Sequence, residues 1–232
     1  MKKRRKTNLL RETSRSLPPR ADIEWFRDRV LEWAAANGRD FPWRHTTDEY
    51  RIVVTEILLQ QTTATAVERL YSSFFDRFPN WQSLYAASEG EVEDALRPLG
   101  LYRQRSKRLK ALAAWVAEHG WQLPSTRDEL EDVPGIGQYV ASVLLAVKYG
   151  EPEPMLDVNM ARVLERFFGE RELADLRDDP WLQLLARQSA AGACPGWAVL
   201  DFAATVCRKR VRLCSACVLV HRCRAGGEAN GN

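Results

Sequence analysis

The 232-residue sequence contains no run of about 18 apolar residues, so it offers no candidate transmembrane helix. The basic start at 1–6 is followed by no apolar segment, which argues against a secretory signal. We therefore expect a cytoplasmic protein, nucleoid-associated if prokaryotic, with no membrane partner. The five cysteines are an odd number in a chain without an export signal, which disfavours a disulfide scaffold and favours a metal or cluster site.

Strand signals are also lacking, because no convincing alternation of polar and apolar residues appears and no segment repeats at a fixed period. Short stretches of helical periodicity occur instead, bounded by Gly, Pro, Ser or Asp. We predict an all-α fold, with Asp48 as one helix cap. The expected helices are 21–37, 50–61, 64–78, 81–87, 90–97, 102–119, 126–131, 138–149, 157–168, 179–188 and 195–206.

The net charge of +3 conceals an asymmetry along the chain. Residues 1–20 contain eight Lys or Arg and one Glu, whereas the remainder contains 26 basic and 30 acidic residues. Pro18–Pro19 and the lack of apolar periodicity predict a flexible arm over 1–20. The charge of the arm indicates a polyanionic partner, and a merely solvated tail fits the composition equally well.

A glycine hairpin is predicted at Val133–Gly137, between two helical segments. Gly135 and Gly137 allow a sharp turn and a close approach to another chain. The next helix begins near Gln138, so its free N–H groups would form an anion site suited to a DNA phosphate. The alternative is a plain turn between helices.

Four cysteines, Cys207, Cys214, Cys217 and Cys223, have the spacing C-x6-C-x2-C-x5-C. Four thiolates in 17 residues predict one metal centre, and the spacing is compatible with zinc and with a four-iron four-sulfur cluster. Cations crowd the same loop and fit phosphate contacts, including Arg208, Lys209 and Arg210. Cys194 lies outside the array, and we expect it to be a small buried side chain.

Three further side chains are candidates for chemistry. Asp157 opens a helix, and an N-cap role alone would explain it. Glu56 lies in the apolar run Val53–Leu59, where a carboxylate must be paired or functional unless it faces solvent. Tyr139 follows the hairpin directly, where core packing is the simplest explanation.

The hairpin 133–139, the aspartate motif 156–163 and the cysteine array, in that order, resemble the endonuclease III (helix–hairpin–helix, Gly/Pro…Asp) superfamily of DNA glycosylases. The resemblance extends from Phe41 to Cys223. It implies a two-lobe all-α fold with a DNA-binding cleft between the lobes, and a four-iron four-sulfur cluster. The implied domains are the arm 1–20, a cluster lobe of 21–46 plus 151–226, a helical lobe of 47–150, and a tail of 227–232.

The resemblance also implies roles for single residues. Asp157 would stabilise positive charge on the sugar, Glu56 would bond to the flipped base, and Tyr139 would line the sugar or base pocket. Gln61 matches the position that fills the gap left by the flipped nucleotide. The implied DNA contacts are Gln60, Gln61, Gly135, Gly137, Gln138, Arg208, Lys209 and Arg210, and the implied base pocket contains Ala64, Asn159 and Trp197.

Single positions distinguish the branches of this superfamily. Bifunctional relatives have lysine where this chain has Tyr139, and a phenol forms no Schiff base, so efficient β-lyase activity is not expected. Adenine glycosylases share Glu56–Thr62, but they usually have Val at the position of Ala64 and Gln or Glu at that of Trp197. Thymine/uracil–G mismatch glycosylases share 55–59, 62–64, 99–105, 201–203 and the Gly137-x-Tyr139 motif.

We therefore expect a monomeric enzyme of base excision repair that hydrolyses the N-glycosidic bond of thymine or uracil opposite guanine in double-stranded DNA. Two alternatives stay open. One is an adenine glycosylase acting opposite guanine or 8-oxoguanine. The other is a catalytically silent helix–hairpin–helix module that only binds DNA.

Overall fold

A computed structural model of the chain describes residue 13 and residues 15–227, and over this range the protein is built from helices. The bounds are α1 Arg20–Asn37, α2 Glu49–Leu59, α3 Ala64–Arg77, α4 Trp81–Ala86, α5 Glu89–Leu96, α6 Tyr102–Glu118, α7 Arg127–Asp132, α8 Gln138–Lys148, α9 Val158–Phe168, α10 Pro180–Ala190, α11 Ala193–Thr205 and α12 Arg224–Gly227. The described residues form no β-strand, so the all-α prediction is confirmed.

The chain divides into two compact units. One unit contains the described residues up to Arg39 and from Gly150 onward, and the other is Asp40–Tyr149. Most of the predicted arm lies outside the described residues, as does most of the predicted tail. The part of the chain that the structure describes has no helix long and apolar enough to span a bilayer.

The first unit packs α1, α9, α10 and α11 around one aromatic core. The ring of Phe26 lies 5.0 Å from that of Phe167 and 5.2 Å from that of Phe168, between their centroids. Just after α1, the backbone N–H and Nε of Arg39 donate to the buried carboxylate of Asp201 at 2.8 and 2.7 Å. Charge-assisted bonds of this kind attach the end of α1 to α11.

Part of the expected arm lies within the first unit. The guanidinium of Arg15 stands 3.6 Å from the centroid of the Trp181 ring and donates to the carbonyl of Glu170. The Trp181 Nε1–H donates to the carbonyl of Ser16 at 3.2 Å. These contacts hold Arg15 and Ser16 against the first unit.

The Asp40–Tyr149 unit is built around α2, which packs against α3, α6 and α8. Eight of its eleven residues are buried, from Tyr50 to Leu58. The predicted cap at Asp48 is confirmed, because its carboxylate accepts the N–H of Tyr50 at 2.9 Å. Because three helices pack against α2, the side chains of α2 are held in fixed positions.

The N-cap of α10 is a stability determinant that we propose to test. Asp179 is fully buried and accepts the backbone N–H of Leu182 at 2.7 Å and those of Glu172 and Leu173 at 2.8 Å. Asp179→Ala leaves three donors without this acceptor, so we expect a loss of about 2–4 kcal/mol of unfolding free energy.

Urea unfolding of the full chain measures this loss. The neighbouring Asp178 is exposed, and Asp178→Ala should change stability by less than about 0.5 kcal/mol. Equal stabilities of the two variants would contradict the assignment.

Candidate functional site

The buried carboxylate of Glu56 is the first feature of the candidate site. Glu56 lies on α2 and is 6% exposed, between the buried residues Thr55 and Ile57. The sequence left open whether this residue faces solvent, and the structure places it inside the Asp40–Tyr149 unit. Because this carboxylate has little contact with water, an external group must enter the unit to form a hydrogen bond with it.

Directly after α2 the chain turns sharply. Gln60 closes the helix, and Gln61 has a left-handed backbone with φ 54° and an exposed side chain. Leu101, before α6, has the same backbone form with φ 46° and is 46% exposed. Left-handed residues other than glycine cost about 1–2 kcal/mol each, so both positions store strain on the surface.

Gln61 and Leu101 line one shallow pocket of about 200 Å³. The other lining residues are Ile57, Gln60, Gln104, Arg105 and Arg108. Leu101 was not among the residues predicted from the sequence. Its position, an apolar residue between Gly100 and the start of a helix, is the signal that could have indicated it. An exposed leucine beside an exposed glutamine is suited to insertion between stacked bases.

The predicted glycine hairpin joins α7 to α8. Val133 and Ile136 are buried, and the Ile136 N–H donates to the Val133 carbonyl at 3.1 Å, which closes the turn. Gly135 has φ 89°, a conformation that favours glycine. Gly137 occupies the N-cap of α8 and has no side chain with which to cap the helix.

The helix after the hairpin places two of the predicted residues. Gln138 is the first residue of α8 and Tyr139 the second, and both side chains are half-buried. Ala64 begins α3 in the same unit and is also half-buried. Trp197 belongs to α11 in the other unit and is half-buried there.

Asp157 is the N-cap of α9, and its carboxylate is held from three directions. One oxygen accepts the backbone N–H groups of Asn159 and Met160 at 2.8 Å each, and the other accepts the Asn159 side-chain amide at 2.7 Å. The amide oxygen of Asn159 accepts from Arg162 at 2.9 Å. Asp157 is half-buried, so a fixed carboxylate keeps an accessible face.

Two arginines of α9 hold the start of the cysteine loop. Arg162 donates to the carbonyls of Cys207 and Ala203 at 3.1 and 3.0 Å. Arg166 donates to the carbonyls of Arg208 and Lys209 at 2.8 and 3.2 Å, and to the Cys207 sulfur at 3.4 Å. The basic loop is thus fixed through its backbone, and the side chains of Arg208, Lys209 and Arg210 are exposed.

All four array cysteines line one small pocket in the first unit. Among the described residues no three His, Cys, Asp or Glu side chains are arranged to hold a single metal ion. The expected burial of Cys194, outside the array, is wrong: it lies exposed near the start of α11, where it faces solvent rather than the core.

Burial affects the protonation of two thiols in this pocket. Burial raises the pKa of Cys217 to about 11, and the charges of the other three cysteines act in the same direction. Burial also raises the pKa of Cys223. Burial therefore favours the neutral form of these two thiols in the absence of a bound cation.

Comparison with known proteins assigns the family. The HhH-GPD superfamily of base excision DNA repair proteins matches residues 54–177, more than half of the chain. The chain belongs to this superfamily, and the resemblance drawn from its motifs is confirmed.

Several relatives cover nearly all of the chain. The thymine-DNA glycosylase of Aeropyrum pernix is 38% identical over 87% of this chain and 94% of its own length. The thymine/uracil-DNA glycosylase of Pyrobaculum aerophilum is 35% identical over 88% of this chain and 93% of its own length. The human adenine DNA glycosylase is 33% identical over 88% of this chain and 40% of its own length.

Solved structures are also similar along most of the chain, and we describe one of them. It is that of a thermostable thymine-DNA glycosylase, with a TM-score of 0.82 and 29% identity over 90% of this chain and 98% of the other.

Proposed function

We propose that this protein is a monofunctional DNA glycosylase that removes thymine or uracil mispaired with guanine in double-stranded DNA. The observation that carries the proposal is the carboxylate of Asp157, fixed on the N-terminus of α9 with an accessible face. The likeness to thymine-DNA and thymine/uracil-DNA glycosylases supports the choice of base.

The chemistry assigned to Asp157 is electrostatic. Cleavage of an N-glycosidic bond builds positive charge on the sugar, as in other glycoside hydrolyses. A carboxylate that is already immobilised does not reorganise as this charge develops, and it also orients the attacking water. Asn159 was expected in the base pocket. Its side-chain amide donates to Asp157 and accepts from Arg162, which supports a role in positioning Asp157.

Glu56 and Tyr139 are assigned to the flipped nucleotide. Glu56 bonds to the base and delivers a proton or positions the water, since a buried carboxylate is suited to proton transfer. Tyr139 lines the sugar or base pocket. As a phenol it provides no amine for a Schiff base, which supports hydrolysis without β-lyase chemistry.

DNA binding is assigned to three surfaces. Gly135, Gly137 and Gln138 donate backbone N–H groups to phosphate oxygens. Arg208, Lys209 and Arg210 add long-range attraction to the phosphates, which carries no sequence information. Gln61 and Leu101 fill the space that the flipped nucleotide leaves. Gln60 supports the loop that contains Gln61.

The two residues that the family resemblance assigns to the base each favour a pyrimidine. Ala64 leaves room where a larger side chain would crowd the base. Trp197 offers no carboxamide or carboxylate to a purine edge, and a site without such a group discriminates poorly for the base that needs it. The likeness to an adenine glycosylase and the pair Gln60–Gln61 keep adenine as the second candidate. The side-chain oxygen of Gln60 accepts a hydrogen bond from Arg108. This bond argues against a role for that oxygen in base recognition.

Cys207, Cys214, Cys217 and Cys223 are proposed to hold a four-iron four-sulfur cluster. When bound, the cluster supplies structural cross-links that shape the basic loop and takes no part in hydrolysis. The pocket that the four thiols share supports one centre held by all four cysteines.

A panel of duplexes tests the function. The full chain is incubated with T:G, U:G, A:G, A:8-oxoguanine and paired T:A duplexes, and strand breaks are scored with and without hot alkali. We expect T:G and U:G to react at least about tenfold faster than the adenine duplexes, with breaks only after alkali.

Each other outcome of the panel contradicts part of the proposal. Fastest removal of adenine opposite 8-oxoguanine would replace the substrate. Breaks without alkali would indicate an amine nucleophile, and no breaks on any duplex would leave only a DNA-binding module.

Asp157→Asn should reduce single-turnover excision by roughly a hundredfold or more, because the charge that stabilises the sugar is removed. Affinity for the mismatched duplex should stay within about twofold, since the phosphate contacts lie elsewhere. The new amide would face that of Asn159, so thermal melting must show that the fold is intact. Asp178→Asn is the matched control on an exposed aspartate, and near-wild-type excision by Asp157→Asn would contradict the assignment.

The cluster predicts colour and metal content. The purified chain should contain about four irons and absorb broadly near about 400 nm. Cys217→Ser should lower both, whereas Cys194→Ser should retain both because Cys194 lies outside the array. One zinc per colourless chain would contradict the cluster.

A further inference from the structure

Arg105, near the start of α6, is a buried cation bound to two loops. It is 5% exposed. Its guanidinium donates to the carbonyl of Leu99 at 3.0 Å and to that of Gly100. On the other side it donates to the carbonyl of Gln60 at 2.5 Å and to the hydroxyl of Thr62. One planar group thus joins the Leu99–Gly100 segment to Gln60, which lies 45 residues before Arg105 in the sequence.

The four acceptors adjoin the two strained, exposed positions described above. Gln60 and Thr62 lie on either side of Gln61, and Leu99–Gly100 directly precede Leu101. A left-handed backbone at a residue other than glycine persists only where neighbouring contacts enforce it. The fork of Arg105 supplies such contacts to both loops at once, because its donors have a fixed relative geometry.

Arg108, one helical turn further along α6, extends the same framework. It donates to the side-chain oxygen of Gln60 and to the carbonyl of Gly135 at 2.7 Å. A Cβ on Gly135 would lie 3.2 Å from Arg108 Nε, so this approach to the hairpin favours glycine. Helix α6 therefore supports the Gln61 loop, the Leu101 loop and the hairpin together.

We propose that Arg105 is a positioning residue for base extrusion, which holds the loops of Gln61 and Leu101 to each other so that both side chains enter the duplex as one unit. This inference rests on the proposed glycosylase function. Arg105 acts through the two loops, since its guanidinium is buried and four of its bonds go to protein oxygens. Flexible loops would lose conformational entropy when they become ordered on insertion, which costs binding free energy. Loops that are already held in place avoid this cost.

Arg105→Lys is the main test variant. It keeps the charge, but an ammonium on a flexible stem does not reproduce a fork that reaches four oxygens in two loops. Arg103→Lys is the matched control, on the same helix with a side chain that is 75% exposed. Thr62→Val, which removes one acceptor and leaves Arg105 in place, is the milder second variant. Thermal melting of all three checks the fold.

The assay compares two duplexes that differ only in how the target base is paired. One carries the mispair that the wild-type chain cleaves fastest in the panel, and the other carries the same base in a bulge with no opposing base. Extrusion costs least where the base is already unpaired. Single-turnover rates are measured on both, and 2-aminopurine beside the target reports unstacking in stopped flow.

We expect Arg105→Lys to slow excision from the mispair by about tenfold and from the bulge by less than about threefold, and to reduce the fluorescence rise on the mispair. Thr62→Val should act in the same direction more weakly, and Arg103→Lys should change neither rate. Equal slowing of both duplexes, or no slowing of either, would overturn the proposal.

Failure of the proposed function gives a different result. A wild-type chain that excises no base refutes the glycosylase, and the fluorescence rise on the T:G duplex then decides the role of Arg105 alone. A rise that Arg105→Lys leaves unchanged, or no rise with the wild-type chain, overturns the positioning role.

Discussion

Hydrogen bonds from arginine side chains to backbone carbonyls are the interaction on which the candidate site depends. Arg105 and Arg108 hold the loops around α6, and Arg162 and Arg166 hold the start of the cysteine loop. These loops have little regular secondary structure, so their carbonyls need donors from elsewhere. A guanidinium offers five donors in a fixed plane and can satisfy carbonyls from more than one segment.

This choice of partner also has an electrostatic consequence. An arginine paired with a carboxylate is neutralised, whereas one bound to carbonyls keeps its full positive charge. Where such arginines lie behind surface loops, the loops become both rigid and positive. A surface that binds a polyanion benefits from both properties, since the attraction acts at long range and the ordering cost is already met.

The sequence predicted the parts of the fold whose signals are local. Helices appeared where apolar periodicity follows a capping residue, as at Asp48 and Asp157, and both caps are present. The cysteine spacing placed four thiols in one loop, and they line one pocket. The parts that it could not predict depend on contacts distant in sequence. Glu56 was undecided until α3, α6 and α8 enclosed α2, and nothing local to Arg105 indicates that it binds Gln60.

The cysteine loop has little apolar burial to order it, which is a physical argument for the proposed cluster. Between Cys207 and Cys223 the chain forms two short 3-10 turns and leaves Val211 and Val218 exposed, at 61% and 38%. Apolar burial therefore contributes little to the order of this loop. Arg166 holds its start, and Leu219 is buried near its end. The segment between them contains the thiols, and bonds from those thiols to one centre would close the loop where the hydrophobic core does not reach.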